Sequence, residues 1–170
     1  MNQPIVYKNY FENYTSLVNE KNIKTAFVNQ VKMMDNFFTS ISEEKAEYAY
    51  AEGKWTLKKM LQHMIDTERI FAYRALSISR KETAILPGFD ENTYAANSAA
   101  NRRTWANLVH EMKIVRESTT LLFNSFTEEM LANAGNFSAA TATTNTIGNI
   151  IIGHFYHHVN IANERYLILK

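Results

Sequence analysis

Three of the five histidines of this 170-residue chain fall within five positions, at His154, His157 and His158. A helix turns about 100° per residue, so His154 and His158 would lie one above the other while His157 points away. The row that contains this pair is otherwise apolar: Ile147, Ile150, Ile151, His154, His158 and Ile161. The neighbouring row is small or polar: Thr146, Asn149, Gly153, His157, Asn160 and Glu164. We predict that His154 and His158 face the core and that His157 does not.

A pair of inward histidines favours a metal site. A single histidine on an apolar face is usually a hydrogen-bonded core residue, but two buried imidazoles without partners are costly. A divalent cation satisfies both through nitrogens at about 2.0–2.1 Å. A third ligand would have to come from another helix, where His63 is available. The row of His63 carries Met60 and Ile70 but also Thr67 and Arg74, so periodicity permits an inward His63 without requiring it.

Two familiar metal sites do not fit the spacing. A zinc-protease helix needs a glutamate directly after its first histidine, where this chain has Phe155. A di-iron bundle needs glutamates three residues before histidines on two helices, and no histidine here has one. A mononuclear site with three histidines and an open position remains, which is typical of a catalytic metal. Asp66, one turn beyond His63, is a candidate extra ligand or hydrogen-bond acceptor.

Composition restricts the classes of function. The chain is 46% hydrophobic and carries 18 basic and 17 acidic residues, for a net charge of +1. It has no cysteine, which excludes disulfides, cysteine metal sites and a cysteine nucleophile. No basic face suited to phosphate contact and no membrane-spanning apolar run is present, which argues against nucleic-acid and membrane partners. We expect one domain over residues 1–170, in the cytoplasm.

Four amphipathic helices must position these histidines. Their predicted extents are Ile23 to Ile41, Thr56 (as the N-cap) to about Arg80, Trp105 to Phe126, and about Thr146 to Leu169. The resulting fold class is all-α, a four-helix bundle. His110, on a polar row of the third helix, is predicted to be solvated.

The segments between these helices are also predicted from local sequence. Residues 1–20 form a lead-in segment with a short helix packed across the bundle. Leu86-Pro87-Gly88-Phe89 is a type II turn, and a short helix covers Glu91 to Ala100. The polar stretch from Asn133 to Asn145 is a loop, and no strand is expected anywhere.

Several segments, in order and separation, resemble the DinB superfamily over about residues 22–168. They are Trp55-Thr56, Leu61 to Arg69, Leu86 to Asp90, Gly153-His154-(x)3-His158, and Glu164 to Leu167. The resemblance implies an up-down-down-up bundle with a long connection between the second and third helices. It implies one divalent metal ion, often nickel or zinc, held by three histidines, which here are His63, His154 and His158. It also implies a homodimer.

The resemblance suggests what the site does, since some members of the superfamily transfer low-molecular-weight thiols such as bacillithiol or mycothiol. An open metal position lowers the pKa of a bound thiol or water. Without a cysteine, any thiol must arrive as a cosubstrate. The favoured hypothesis is thiol transfer to a small electrophile; the alternatives are a metal-dependent hydrolase and a non-catalytic scaffold or binding protein.

Charged residues around the predicted site are candidates for supporting the ligands or contacting the substrate. Those close to His63 are Asp66, Glu68 and Arg69. The basic side chains Arg69, Arg74 and Arg165 are placed to hold an acidic cosubstrate. The interpretation that we favour for them is ion pairing with Asp66, Glu68 and Glu164 at the ends of the bundle.

Overall fold

The computed structural model describes residues 8–168, which form four long helices with short helices and one hairpin between them. The helices are α1 (Lys8–Thr15), α2 (Ile23–Thr39), α3 (Glu43–Ala46), α4 (Leu57–Ser79), α5 (Glu91–Asn97), α6 (Trp105–Asn124), α7 (Glu128–Ala132) and α8 (Thr144–Ile161). A 3₁₀ turn, Ala100–Arg102, follows α5, and a π-helical turn, Ala162–Tyr166, extends α8. The predicted four-helix bundle is confirmed. Across the described residues, no helix combines the length and hydropathy of a membrane span.

Each long helix begins with a side-chain oxygen that accepts backbone hydrogen bonds. Thr56 caps α4 as predicted, accepting from the backbone N–H of Lys59 at 3.1 Å. Asn22, Thr104 and Thr143 cap α2, α6 and α8 in the same way. These caps satisfy amide groups that have no partner within the helix, so the start of each element is fixed by its own sequence.

The bundle buries a polar layer between two apolar clusters. Helix α4 packs against α6 and α8, and α2 packs against the same two helices. One apolar cluster includes Met34, Leu61, Leu108 and Phe155, and the other includes Phe27, Phe71, Phe123 and Ile151. Between them each long helix contributes a buried polar residue: Gln30, Glu68, Arg116 and His154. The up-down-down-up order of helix directions stays a prediction.

The prediction that residues 133–145 form a loop without strands is wrong. This segment contains an antiparallel hairpin of β1 (Ala134–Phe137) and β2 (Ala140–Thr143), with Phe137 opposite Ala140. Only Phe137 and Ala142 of the hairpin are buried. Two buried side chains are too few to produce the alternating apolar pattern by which a strand is recognised in a sequence.

The prediction of a type II turn at residues 86–89 is also wrong. That turn needs a positive φ at Gly88, and Gly88 does not have one. Instead Leu86 joins the hairpin: its N–H donates to Asn136 O at 3.0 Å, and its O accepts from Ser138 N–H at 2.7 Å. Space at position 88 is tight, because a Cβ there would lie 3.0 Å from Ser138 Oγ. The connection after α4 is therefore fastened to the hairpin.

Helix α1 covers part of the row on α8 that we predicted to be polar. A Cβ at Gly153 would lie 2.0 Å from the backbone oxygen of Tyr14, so only glycine allows the two helices to approach this closely. Helix α1 confirms the short lead-in helix that packs across the bundle. Residues 1–7 of that lead-in segment lie outside the described residues.

Candidate metal centre

Three histidines from two long helices converge in the interior. His63 comes from α4, and His154 and His158 come from α8. Nε2 of His154 lies 3.1 Å from Nε2 of His63 and 3.0 Å from Nε2 of His158. Each residue offers one nitrogen within 4.8 Å of the other two. The side chains are buried, with at most 8% of any residue exposed.

Helical spacing and aromatic neighbours explain this convergence. His154 and His158 are one turn apart on the buried row of α8, with Ile147, Ile150 and Ile151. The Tyr14 ring packs edge-on against His154 at 5.4 Å between centroids. His157 is outside the group and half-buried, with its ring 5.3 Å from that of Tyr14.

His63 is held in the same way from the other side. The Trp55 ring lies 5.0 Å from its imidazole. Thr67, one turn along α4, places its Oγ1 at 3.5 Å from Nδ1 of His63. The polar members of the His63 row, Thr67 and Arg74, are themselves buried, so that row faces inward despite its composition.

Burial keeps the three imidazoles neutral. It lowers the pKa of His63 to about 4, with the charge of His157 as a further cause. Burial also lowers the pKa of His154 and of His158 well below the usual range, and the neighbouring histidines add to this effect. At neutral pH each ring therefore presents one lone pair and one N–H.

Hydrogen bonds between the rings cannot satisfy this group. Nε2 of His154 has either one lone pair or one hydrogen, yet it contacts a nitrogen of both His63 and His158. A cation among the three nitrogens would accept a lone pair from each. Tetrahedral zinc with bonds of about 2.0–2.1 Å places its nitrogens about 3.3 Å apart, close to the two spacings found here.

The donor set therefore fits a divalent ion with three nitrogen ligands. No carboxylate belongs to the group within the described part of the chain, so the described residues supply three nitrogen ligands and no fourth. Nδ1 of His158 is buried and has no hydrogen-bond partner among the described residues.

The acidic and basic candidates near His63 have partners of their own, and no hydrogen bond among the described residues joins one of them to a histidine of the group. Asp66 is half-buried and accepts from Gln62 Nε2 at 2.9 Å, and burial raises its pKa. Glu68 pairs with Arg116. Arg69 is exposed and pairs with Glu111, rather than with Asp66 or Glu68.

A buried ion-pair cluster adjoins the histidines and was missed by sequence reasoning. Arg116 Nε donates to Glu68 Oε1 at 2.8 Å, and its Nη2 donates to Oε2 at 2.7 Å. Arg116 Nη1 donates to Gln30 Oε1, and Gln30 Nε2 donates to Ile152 O at 2.9 Å. One small cavity is lined by Glu68, Arg116 and His154 together. The only sign of this cluster in the sequence was one polar side chain beside the apolar row of each of the helices that carry it.

A cavity of about 260 Å³ lies against the histidine group. Its wall includes His63, His154 and Arg74, together with the aromatic rings Phe11, Phe71, Phe89 and Phe137. The connection at Gly88–Phe89 and the hairpin turn at Ser138–Ala139 also line it, and Gly88, Ser138 and Ala139 are exposed. The cavity thus reaches from the buried imidazoles to the surface.

The three basic candidates differ in their relation to this cavity. Arg74 lines it, whereas Arg69 and Arg165 do not. Arg165 Nη1 donates to the hydroxyl of Tyr50 at 3.1 Å and forms no ion pair with Glu164. His110 is exposed on α6, as predicted.

One comparison with solved structures concerns the fold of this chain, and one with family models concerns its family. The solved structure of YfiT from Bacillus subtilis, described as a probable metal-dependent hydrolase with an unusual four-helix bundle topology, is similar to this chain. Its TM-score is 0.70, with 12% sequence identity over 96% of this chain and 90% of that chain. A comparison with curated proteins finds no match. Residues 26–162, most of the chain, match the family model of the DinB superfamily. The chain therefore belongs to the DinB superfamily.

Proposed function

We propose that this protein is a metal-dependent enzyme acting on a small molecule, with His63, His154 and His158 holding one zinc or nickel ion. The observation that carries the proposal is that two of the three candidate ligands, His63 and His154, also line the adjoining cavity. A structural metal site is closed by four protein ligands, whereas a catalytic site keeps one side free for substrate. Here the free side would meet a cavity that reaches the surface.

We favour thiol transfer as the reaction. The ion would supply Lewis acidity, which lowers the pKa of a thiol or a water molecule at its open position. A thiol ionises more easily than water, because its ordinary pKa is about 8.5 rather than 15.7. Among the described residues that line the cavity, Glu91 is the only acidic one and it is exposed, so they include no buried carboxylate to take a proton from water. The aromatic wall would exclude water and leave a thiolate poorly hydrated.

Metal-dependent hydrolysis is the second candidate. It is supported by the fold shared with YfiT, which is described as a probable metal-dependent hydrolase. The same three histidines and the same cavity would serve a water nucleophile. The homodimer and the cytoplasmic location stay predictions.

Metal analysis of purified, zinc-loaded protein tests the site. The wild-type chain should retain about one ion, and His154→Ala should retain almost none because only two imidazoles remain. His110→Ala is the matched control, since His110 is exposed and remote from the group. Equal metal content in all three proteins would rule out this site and would favour the hypothesis of a non-catalytic scaffold.

A paired assay separates the two reactions. Zinc-loaded protein should conjugate bacillithiol, glutathione or coenzyme A to chlorodinitrobenzene, and chelation should abolish the conjugate. Hydrolysis of nitrophenyl acetate is followed in parallel without thiol. Metal-dependent hydrolysis without any conjugate would replace thiol transfer by the hydrolase, and loss of both activities in a metal-loaded sample would favour the scaffold.

A further inference from the structure

Arg74 is a buried cation without a counterion. Only 4% of the residue is exposed, and it forms no ion pair with any described residue. Its Nη2 donates to the backbone oxygen of Pro87 at 2.8 Å. Its Nε is buried and has no hydrogen-bond partner within residues 8–168. Buried charges in proteins are normally paired, so an unpaired guanidinium requires an explanation.

Aromatic rings surround the guanidinium without neutralising it. The guanidinium carbon lies 4.7 Å from the ring centroids of both Phe71 and Phe137 and 5.9 Å from that of Phe89. Contacts of this kind attract a cation to the ring face, but they do not accept the remaining N–H bond. The same three rings line the cavity beside the histidines. Arg74 lines this cavity as well, so its unpaired guanidinium lies beside the same space.

No other charge in the cavity balances Arg74. Two neutral imidazoles, those of His63 and His154, form part of the wall. Glu91 is the only acidic residue among the lining side chains that the structure describes; it is exposed and does not pair with Arg74. The contrasting basic residue is Arg69 on the same helix, whose charge is met by Glu111.

We infer that Arg74 is the residue that recognises a carboxylate of the substrate, so the cavity takes a small aromatic or similarly apolar carboxylate. The planar guanidinium matches a carboxylate, and the phenylalanine rings match an apolar body. The cavity, at about 260 Å³, is slightly smaller than the roughly 300 Å³ at which drug-sized sites begin, so the ligand is small. The inference rests on the proposed function in one respect: the far end of the ligand would meet the metal position.

Calorimetric titration of the zinc-loaded protein tests the inference, with benzoate as the probe and benzamide as its uncharged counterpart. Wild-type protein should bind benzoate at least about tenfold more tightly than benzamide, as expected for a charge-assisted hydrogen bond. Arg74→Gln should remove this preference while its zinc content stays unchanged. Arg80→Gln is the matched control, because Arg80 caps the same helix, is exposed and lies outside the cavity. It should keep the wild-type preference.

Several results would overturn the inference. Benzoate could bind Arg74→Gln as tightly as wild type, which would place the carboxylate on the ion instead. Equal affinities for benzoate and benzamide in the wild-type protein would also contradict it, even if Arg74→Gln fails to fold. Tighter binding of phenyl phosphate than of benzoate would replace the carboxylate by a phosphate.

The metal proposal and this inference fail in different ways. A protein that binds zinc but shows no preference for benzoate keeps the metal site and loses the carboxylate site. A protein that takes up no zinc but shows an Arg74-dependent preference for benzoate keeps the carboxylate site and loses the metal enzyme. The benzoate titration is therefore repeated with His154→Ala, once circular dichroism shows that this variant is folded. It tests whether the preference for benzoate survives without the metal.

Discussion

The two buried polar clusters of the central layer are built in opposite ways. In the first, Arg116 meets both carboxylate oxygens of Glu68, and Gln30 completes the contacts through the Ile152 carbonyl. In the second, His63, His154 and His158 direct like nitrogens at one another, and no acid joins them within the described chain. Glu68 and Arg116 line a small cavity together with His154, so the two clusters are neighbours.

The difference distinguishes a cluster whose polar groups satisfy one another from one whose polar groups do not. Opposite charges with matched hydrogen bonds satisfy one another, and the Glu68–Arg116 pair is of this kind. Three neutral imidazoles carry three lone pairs and three N–H groups, and Nε2 of His154 cannot serve both of its neighbours at once. The following experiments should affect one cluster and spare the other.

Breaking the ion pair should have the largest effect. Arg116→Leu leaves the Glu68 carboxylate buried and uncompensated, which should lower the free energy of unfolding by about 3–5 kcal/mol in urea denaturation. The double variant Glu68→Leu/Arg116→Leu should recover most of this loss, because it removes both charges. A single variant within 1 kcal/mol of wild type, by the same denaturation, would show that the pair is not desolvated as described.

Acid should destabilise the metal-free protein through the other cluster. The unfolded chain protonates His63 near its ordinary pKa of 6.5, whereas the folded chain does so at about 4. Between these values the unfolded state binds more protons, so stability is lost as the pH falls. His63 alone should remove about 3 kcal/mol across this window, and His154 and His158 act in the same direction.

Urea denaturation at several pH values, with chelator present, measures this loss. His63→Gln removes one of the titrating groups and should flatten the dependence on pH. An equal slope in wild type and variant would contradict the assignment of the lowered pKa to this residue.

Metal addition should stabilise the protein by a smaller amount. Zinc at about one hundred times its dissociation constant should raise the free energy of unfolding by about 2.7 kcal/mol, provided that it does not bind the unfolded chain. His154→Ala should show no such gain, while Glu68→Leu/Arg116→Leu should keep it. Thermal melts with zinc and with chelator give the comparison. A zinc-dependent shift that survives in His154→Ala would place the ion elsewhere.

The smallest expected effect concerns Thr67, whose hydroxyl is at the limit of hydrogen-bond distance from His63. Thr67→Val should weaken zinc binding about two- to tenfold, at the low end for a partner of a ligand histidine. Thr119→Val is the matched control, because Thr119 is equally buried but donates to its own helix at Val115 O. Competition with a coloured chelator measures both affinities. An identical loss in both variants would reflect packing alone.

The sequence predicted what local chemistry determines. Helical periodicity and caps such as Thr56 identified the four long helices. The spacing of His154 and His158 placed both on one inward row. These features depend on residues within one or two turns of each other, which is why a single chain sufficed to predict them.

What the sequence could not give depends on contacts between distant segments. Thr67 and Arg74 made the row of His63 look partly exposed, but the cavity and its aromatic wall bury them. The partner of Glu68 is Arg116, 48 positions away, and not the nearby Arg69. The hairpin was missed because only two of its side chains, Phe137 and Ala142, are buried, so its sequence lacks an alternating apolar pattern.

Connections between helices form one wall of the cavity, whereas the three histidines belong to long helices. Leu86 is tied to the hairpin at Asn136 and Ser138, so the two connections form a single cover that carries none of the three imidazoles. Loops tolerate substitution better than packed helices do. Changes in this cover can therefore reshape the cavity while the positions of the three imidazoles are preserved, so the two are free to evolve separately.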